Sequence, residues 1–248
     1  MSFTKFMIGL PGGRVTERVP ERSGTGGIWR AASAILWKDL VAELRSKELL
    51  SAMLVFSLIV VVVFNFAVEL RLDLARQTSI GFLWVTILFS GMLGINRSLA
   101  REKDRGCLDG LLLCPVDRGM IFLGKMVGNL VFILVTELLV IPLFIFFFDV
   151  PFYHPLHLLV VLFGIIGFAS VGTLLSAMAV HTRARDVMLP IILLPVTIPL
   201  VLSAVRASRM VLDGRALSEF LPWAGMLLAF DIVMLTVAYL TFDYVVEE

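Results

Sequence analysis

The sequence predicts an all-α membrane protein with six transmembrane helices. Three observations carry that prediction. Hydrophobic residues make up 59% of the 248 and charged residues 17%, with a mean hydropathy of +0.96, far from a soluble globular profile. Apolar runs of about 20 residues, long enough to cross a hydrocarbon core at about 1.5 Å per residue, occur six times. The charges are gathered between these runs instead of being spread through them. Each run is read as a helix, because the open edge of a sheet has no hydrogen-bond partners in lipid.

Residues 1–27 are expected to form a disordered cytoplasmic tail. Their Gly-, Arg- and Glu-rich part, residues 11–27, leaves no room for the apolar core of a secretory signal. Over 28–47, Ile28, Ala32, Ile35, Leu36, Leu40 and Leu44 recur at helical spacing, with Lys38, Asp39, Arg45 and Lys47 mostly elsewhere on the wheel. That pattern predicts an N-terminal amphipathic helix lying in the membrane interface; the alternative is an inward extension of the first span.

The first span is expected over Leu49–Val68 and the second over Gln77–Asn96, both uncharged. The third, Met126–Phe148, contains Glu137, and the fourth, Leu156–Val180, has His157 near its start. The fifth, Val187–Val205, carries Pro190, Pro195 and Pro199, and the sixth, Phe220–Phe242, contains Asp231. With the N-terminus inside, sixteen Lys/Arg fall on the inner side and five in the outer loops, so both termini are predicted to be cytoplasmic. Trp84, Tyr153 and Trp223 then fall near the outer ends of spans, as an interfacial aromatic belt would require.

Glu137 and Asp231 are costly within a span, by at least about 2.5–3.5 kcal/mol for a charge at mid-depth. Each is expected to line a polar path, to latch one helix to another, or to sit protonated and hydrogen-bonded to a neighbour. The three prolines each remove a backbone donor and crowd the preceding turn, predicting a kinked or loosened helix; Thr197 is placed to satisfy freed carbonyls. Gly164, Gly167, Ser170, Gly172, Thr173 and Ser176 offer small surfaces for close helix packing.

Enzyme signatures are missing. Gly119–Lys125 matches the first seven positions of a phosphate-binding loop, but Met126 replaces the hydroxyl that would hold Mg²⁺, and four bulky apolar residues fill the nest. It is read as the start of a membrane helix. No H-E-x-x-H or G-x-S-x-G occurs, and Cys107 and Cys114 form neither a C-x-x-C pair nor a disulfide framework. His154 and His157 can either ligate a metal or haem iron or simply be solvated at the interface.

The connection over 97–125 holds ten charges around the Leu-rich centre LDGLLLCP. Gly106 and Pro115 bracket a short helix with Leu108, Leu111 and Leu112 on one face, behind Glu102, Asp104 and Arg105, and Asp117 is placed to cap the third span. Such an element can dock a partner or rest on lipid headgroups.

The run GFLWVTILFSGMLGINRSLAREKDRGCLDGLLLCPVDRGMIFLGK, together with LPIILLPVTIPLVL, resembles the CcmB family, the haem exporter protein B membrane subunits of cytochrome c maturation, over roughly residues 29–245. The resemblance implies a six-span permease domain over 28–248 like that of ABC-2 exporters, in a bacterial inner membrane. It implies a separate CcmA-like ATPase that uses the ATP, so that this chain is not itself an enzyme. CcmC-, CcmD- and CcmE-like haem-handling proteins are implied as further partners. The function implied is haem delivery or release of the haem-loaded chaperone CcmE. Glu102, Asp104, Arg105, Leu108, Asp109, Leu111 and Leu112 would form the coupling helix that docks on the ATPase, and 28–47 the interfacial connecting helix. Haem is a possible cargo with no ligand assigned; a homodimer is expected and nucleic acid is not. Rival readings are an ABC-2 permease for another cargo, such as a lipid-linked glycan or drug, and a membrane scaffold that transports nothing.

Overall fold

A computed structural model describes residues 25–68, 72–104, 118–179, 182 and 184–247. These form helices α1 (Thr25–Ser46), α2 (Glu48–Val68), α3 (Leu72–Asp104), α4 (Arg118–Phe148), α5 (Pro155–Ala179), α6 (Arg185–Leu212) and α7 (Leu217–Glu247). No strand occurs among the described residues. The six helices α2 to α7 are each long and apolar enough to cross a membrane, so the chain is a multi-pass membrane protein.

Every expected span is present, and α3, α4, α6 and α7 overrun the expected ends. α4 starts at Arg118 and not at Met126, and α6 continues past Val205 to Leu212. Charges mark where a helix leaves hydrocarbon, but they do not break it, so the backbone ladder continues into the polar zone. The connection of 97–125 is correspondingly shorter: α3 reaches Asp104, and 105–117 lie outside the described residues. α1 begins at Thr25, three residues inside the segment expected as a tail, and residues 1–24 also lie outside the described residues.

α1 and α2 are separate helices. Lys47 between them has φ 52, and its amide bonds Glu43 O at 2.6 Å. A left-handed non-glycine residue costs about 1–2 kcal/mol. Glu43 offsets this: its Oε1 accepts the amides of Leu49 and Leu50 at 2.7 and 3.0 Å. A carboxylate there satisfies two of the free amides of the first turn and complements its dipole. α6 ends on Gly214 at φ 65, with Arg215 N bonded to Met210 O and Gly214 N to Val211 O, a Schellman termination that needs the left-handed residue.

The contacts define two ends of the bundle. At one, which α1 occupies, Lys125 of α4 meets Asp39, Arg118 bonds Asp243 O of α7, and Asn96 of α3 bonds Asp186 of α6. At the far end, Arg76 of α3 pairs with Asp149 after α4, and Arg209 of α6 donates to Gln77 O.

α5 is the spine, packed against α3, α4, α6 and α7. Its small residues receive large ones from α3, and α3 returns the arrangement. The Trp84 indole lies over Gly164, Ile95 lies over Gly172, and Phe168 of α5 fills the space at Gly91. Lipid tails are as apolar as the helices, so close van der Waals contact of this kind supplies the association energy. α2 shows the contrast: Leu49, Met53, Ser57 and Val61 are buried at four-residue spacing, while Val55, Leu58, Ile59, Val63 and Phe66 are exposed.

Candidate functional site

The candidate site is the polar interior on the two sides of α5. Asp231 of α7 is 6% exposed, and its carboxyl lies against Gly167, where a Cβ would also stand 2.9 Å from Leu200 of α6. It therefore sits in the seam of α5, α6 and α7, in space that only a glycine leaves open. Ser170, fully buried, follows Gly167 by three residues on the same face of α5. Glu137 of α4, 1% exposed, lies one turn from Ile133, and Ile133 and Phe168 both meet Gly91. That spacing puts Glu137 in the seam of α3, α4 and α5. His157, fully buried, is the third residue of α5, its ring centre 5.3 Å from that of Phe152.

No side-chain polar atom of Glu137, His157 or Asp231, nor the Ser170 hydroxyl, has a hydrogen-bond partner among the described residues. Neither acid thus makes the interhelical hydrogen bond expected of a latch or of a satisfied carboxyl. A buried unpartnered polar group costs about 1–3 kcal/mol. Glu137→Leu is accordingly expected to raise stability in detergent by about 1–3 kcal/mol and Glu137→Gln to leave it near wild type. Thermal unfolding of the two variants checks this. A Leu variant less stable than the Gln variant would mean that the carboxyl is bonded after all.

The α1 end is polar and paired. Lys125, 2% exposed, holds Asp39 at 2.7 Å, and Asn129 donates to Thr173 of α5 at 2.9 Å. This corrects the wheel reading of α1, which set Asp39 among residues away from the apolar face. In the structure Ile35 and Asp39 both turn to α4, and Trp37 is exposed. The lookalike phosphate loop is helical throughout, with Gly119 packed under the Tyr239 ring and Lys125 paired to Asp39 instead of free for a phosphate.

Of the predicted docking residues, Glu102 and Asp104 lie in the last turn of α3, while Arg105, Leu108, Asp109, Leu111 and Leu112 lie outside the described residues. α6 runs through Pro190, Pro195 and Pro199 as one helix. The Thr197 hydroxyl bonds Leu193 O and Leu194 O. The carbonyls that the prolines free are four residues before each ring, so Thr197 does not satisfy them. A mostly apolar cavity of about 330 Å³ opens between α3 and α6 beside Pro195 and Thr197.

Two aromatic and histidine expectations change. Trp84 is 1% exposed, its indole N–H donating to Ser208 at 3.1 Å, so it is a packing residue and no part of an interfacial belt. Tyr153 is exposed, and Arg206 stands 5.7 Å from the Trp223 ring. His157 is buried, not solvated; His154 is exposed. Among the described residues no group of three or more His, Cys, Asp or Glu can hold a metal ion.

Sequence reading missed Glu43 and the Lys125–Asp39 pair. A lysine flanked by MIFLG and MVG was the available signal, since a cation at that depth requires a carboxylate.

The model of the family described as "CcmB protein" matches residues 30–247. The chain is also similar to "Heme exporter protein B" of Rhodobacter capsulatus, 26% identical over 185 residues, which cover 74% of this chain and 85% of that relative.

Proposed function

The chain belongs to the CcmB family, and on that premise we propose that it is the membrane subunit of a haem exporter in cytochrome c maturation, driven by an ATPase on a separate chain. The observation that carries this reading is the family match across nearly the whole described helical bundle, residues 30–247. The bundle's interior supports it: a transport subunit needs polar groups inside hydrocarbon, and Glu137, Ser170 and Asp231 line the two sides of α5. The helical course of Gly119–Lys125 supports an external source of ATP hydrolysis.

In this reading the α1 end faces the cytoplasm of a bacterial inner membrane, with both termini there. The connection between α3 and α4 is the coupling helix, carrying Glu102, Asp104, Arg105, Leu108, Asp109, Leu111 and Leu112 to a CcmA-like ATPase. α1 is fastened to α4 by Lys125–Asp39 and to α2 by Glu43. Two copies of the chain form the membrane body, and CcmC-, CcmD- and CcmE-like proteins handle haem at the opposite face. The work of ATP delivers haem or frees the haem-loaded CcmE-like chaperone.

Asp104→Lys combined with Leu111→Asp is expected to abolish co-purification of the ATPase while the variant still inserts. An ATPase that stays bound removes the docking assignment. Vesicles holding the chain and its ATPase then separate haem movement from chaperone release, by following porphyrin absorbance across the membrane and the free chaperone outside it.

A further inference from the structure

The two faces of α1 carry opposite charges. Asp39 and Glu43, the acids of the helix, turn into the protein: Asp39 meets Lys125 of α4 at 2.7 Å, and Glu43 accepts the amides of Leu49 and Leu50. Ile35 joins them, buried with Ile121 and Phe122 of α4, and the Leu36 side chain lies near Gly128. The opposite stripe runs through Ala34, Trp37, Lys38, Val41 and Arg45 at helical spacing. Trp37 is 70% exposed, the Lys38 side chain is half exposed, and Arg45 is exposed. Lys47, at the bend into α2, is exposed as well. Glu48 is the one exposed acid among the described side chains of 33–50, and it complements the dipole of the first turn of α2.

We propose that this outer stripe of α1, together with Lys47, is a binding surface for anionic phospholipid headgroups. The surface is independent of the cargo and goes beyond the haem-exporter reading. Three exposed cations against one exposed acid call for a partner of net negative charge. Basic side chains at the surface of a leaflet draw anionic lipid to them. Tryptophan adds an apolar ring with a polar edge, which settles at the level of the headgroups. A zwitterionic headgroup offers each cation a phosphate and an ammonium together, so the excess positive charge gains little from it.

Two contacts fix the level of the stripe. Lys47 and Glu48 stand directly before the uncharged run Leu49–Val68. Asp39 is held by Lys125, which directly precedes the third expected span at Met126. Both points lie where a span leaves hydrocarbon, so α1 between them runs along the membrane boundary and not away from it. Lys47, at φ 52, turns the chain from that plane into α2. Beyond the turn an exposed row continues through Ser51 and Val55 to Ile59 of α2, entering hydrocarbon. The cations therefore open onto the lipid that surrounds α2. An in-plane helix with tryptophan and basic side chains outward holds a membrane surface by both its apolar and its charged groups.

The test uses the full chain in phosphatidylcholine nanodiscs that hold a fixed fraction of acyl-brominated phosphatidylglycerol or of acyl-brominated phosphatidylcholine. Trp37 fluorescence is read as the difference between wild type and Trp37→Phe. Brominated phosphatidylglycerol should quench it about twofold more than brominated phosphatidylcholine, and the excess should fade at high salt. Lys38→Gln combined with Arg45→Gln and Lys47→Gln should bring the two quenchers level. Thermal unfolding of that variant in detergent should match wild type, because all three side chains are exposed, which sets lost binding apart from lost folding. Equal quenching by the two lipids in wild type overturns the assignment, as does a preference that survives the triple variant. A surface built for the acidic face of a partner protein would show no lipid preference in wild type, while the triple variant would lose co-purification of the ATPase; that result also overturns it.

Discussion

Asp39→Ala should destabilise the protein by about 3–5 kcal/mol, the usual cost of removing one partner of a buried ion pair. The asymmetry of the pair sharpens the expectation. Lys125 is 2% exposed and Asp39 13%, so the lysine cannot reach solvent when its carboxylate is removed. Lys125→Met should cost less, because Asp39 is partly hydrated and keeps Lys38 at 3.4 Å. The double variant Asp39→Leu with Lys125→Met should recover most of the loss, since an apolar pair of similar volume often replaces a buried ion pair without penalty. Thermal unfolding in detergent reads the stability, and protease cleavage within α1 reads its release from α4. Equal losses in both single variants with no recovery in the double would show that the pair is not what fastens α1.

Gly164→Leu should be the most damaging change within the spine. An added Cβ there meets the six-membered ring of Trp84, and Trp84 is fully enclosed and bonded to Ser208. The ring has nowhere to move without breaking that bond and parting α3 from α5. Overpacking of a filled core costs about 1–3 kcal/mol and sometimes more. In lipid the separated faces gain nothing from burial elsewhere, because packing is the main attraction between spans. Gly164→Leu combined with Trp84→Ala should regain part of the loss, as the vacated indole volume accepts the leucine. Melting temperatures of the single and double variants decide it: a double variant as unstable as the sum of its parts would mean that Trp84 and Gly164 do not share that space.

Much of the fold is legible in the sequence because hydrocarbon is a severe solvent. A run such as Leu49–Val68 with no charge has one stable place, and the backbone has one stable form there. The stripe of small residues on α5 is legible for a related reason, since only close packing explains so many glycines and hydroxyls in an apolar helix. Helix ends are less legible, because charged residues such as Arg118 and Arg206 extend a helix as readily as they end it. The wheel placement of Asp39, the interfacial placement of Trp84 and the solvated alternative for His157 fail for another reason. A wheel describes one helix, and these side chains are set by a second one.

The class of the protein, its six spans and the family to which its motifs point can all be read from the order of its amino acids. These follow from composition and spacing along one chain, where the solvent alone decides. Tertiary structure decided which small residue receives which large one, that Lys125 belongs to Asp39, that Glu43 caps α2, and that Glu137, His157 and Asp231 are enclosed without partners. Those facts depend on distances between helices that are remote in sequence, and hydropathy carries no record of them.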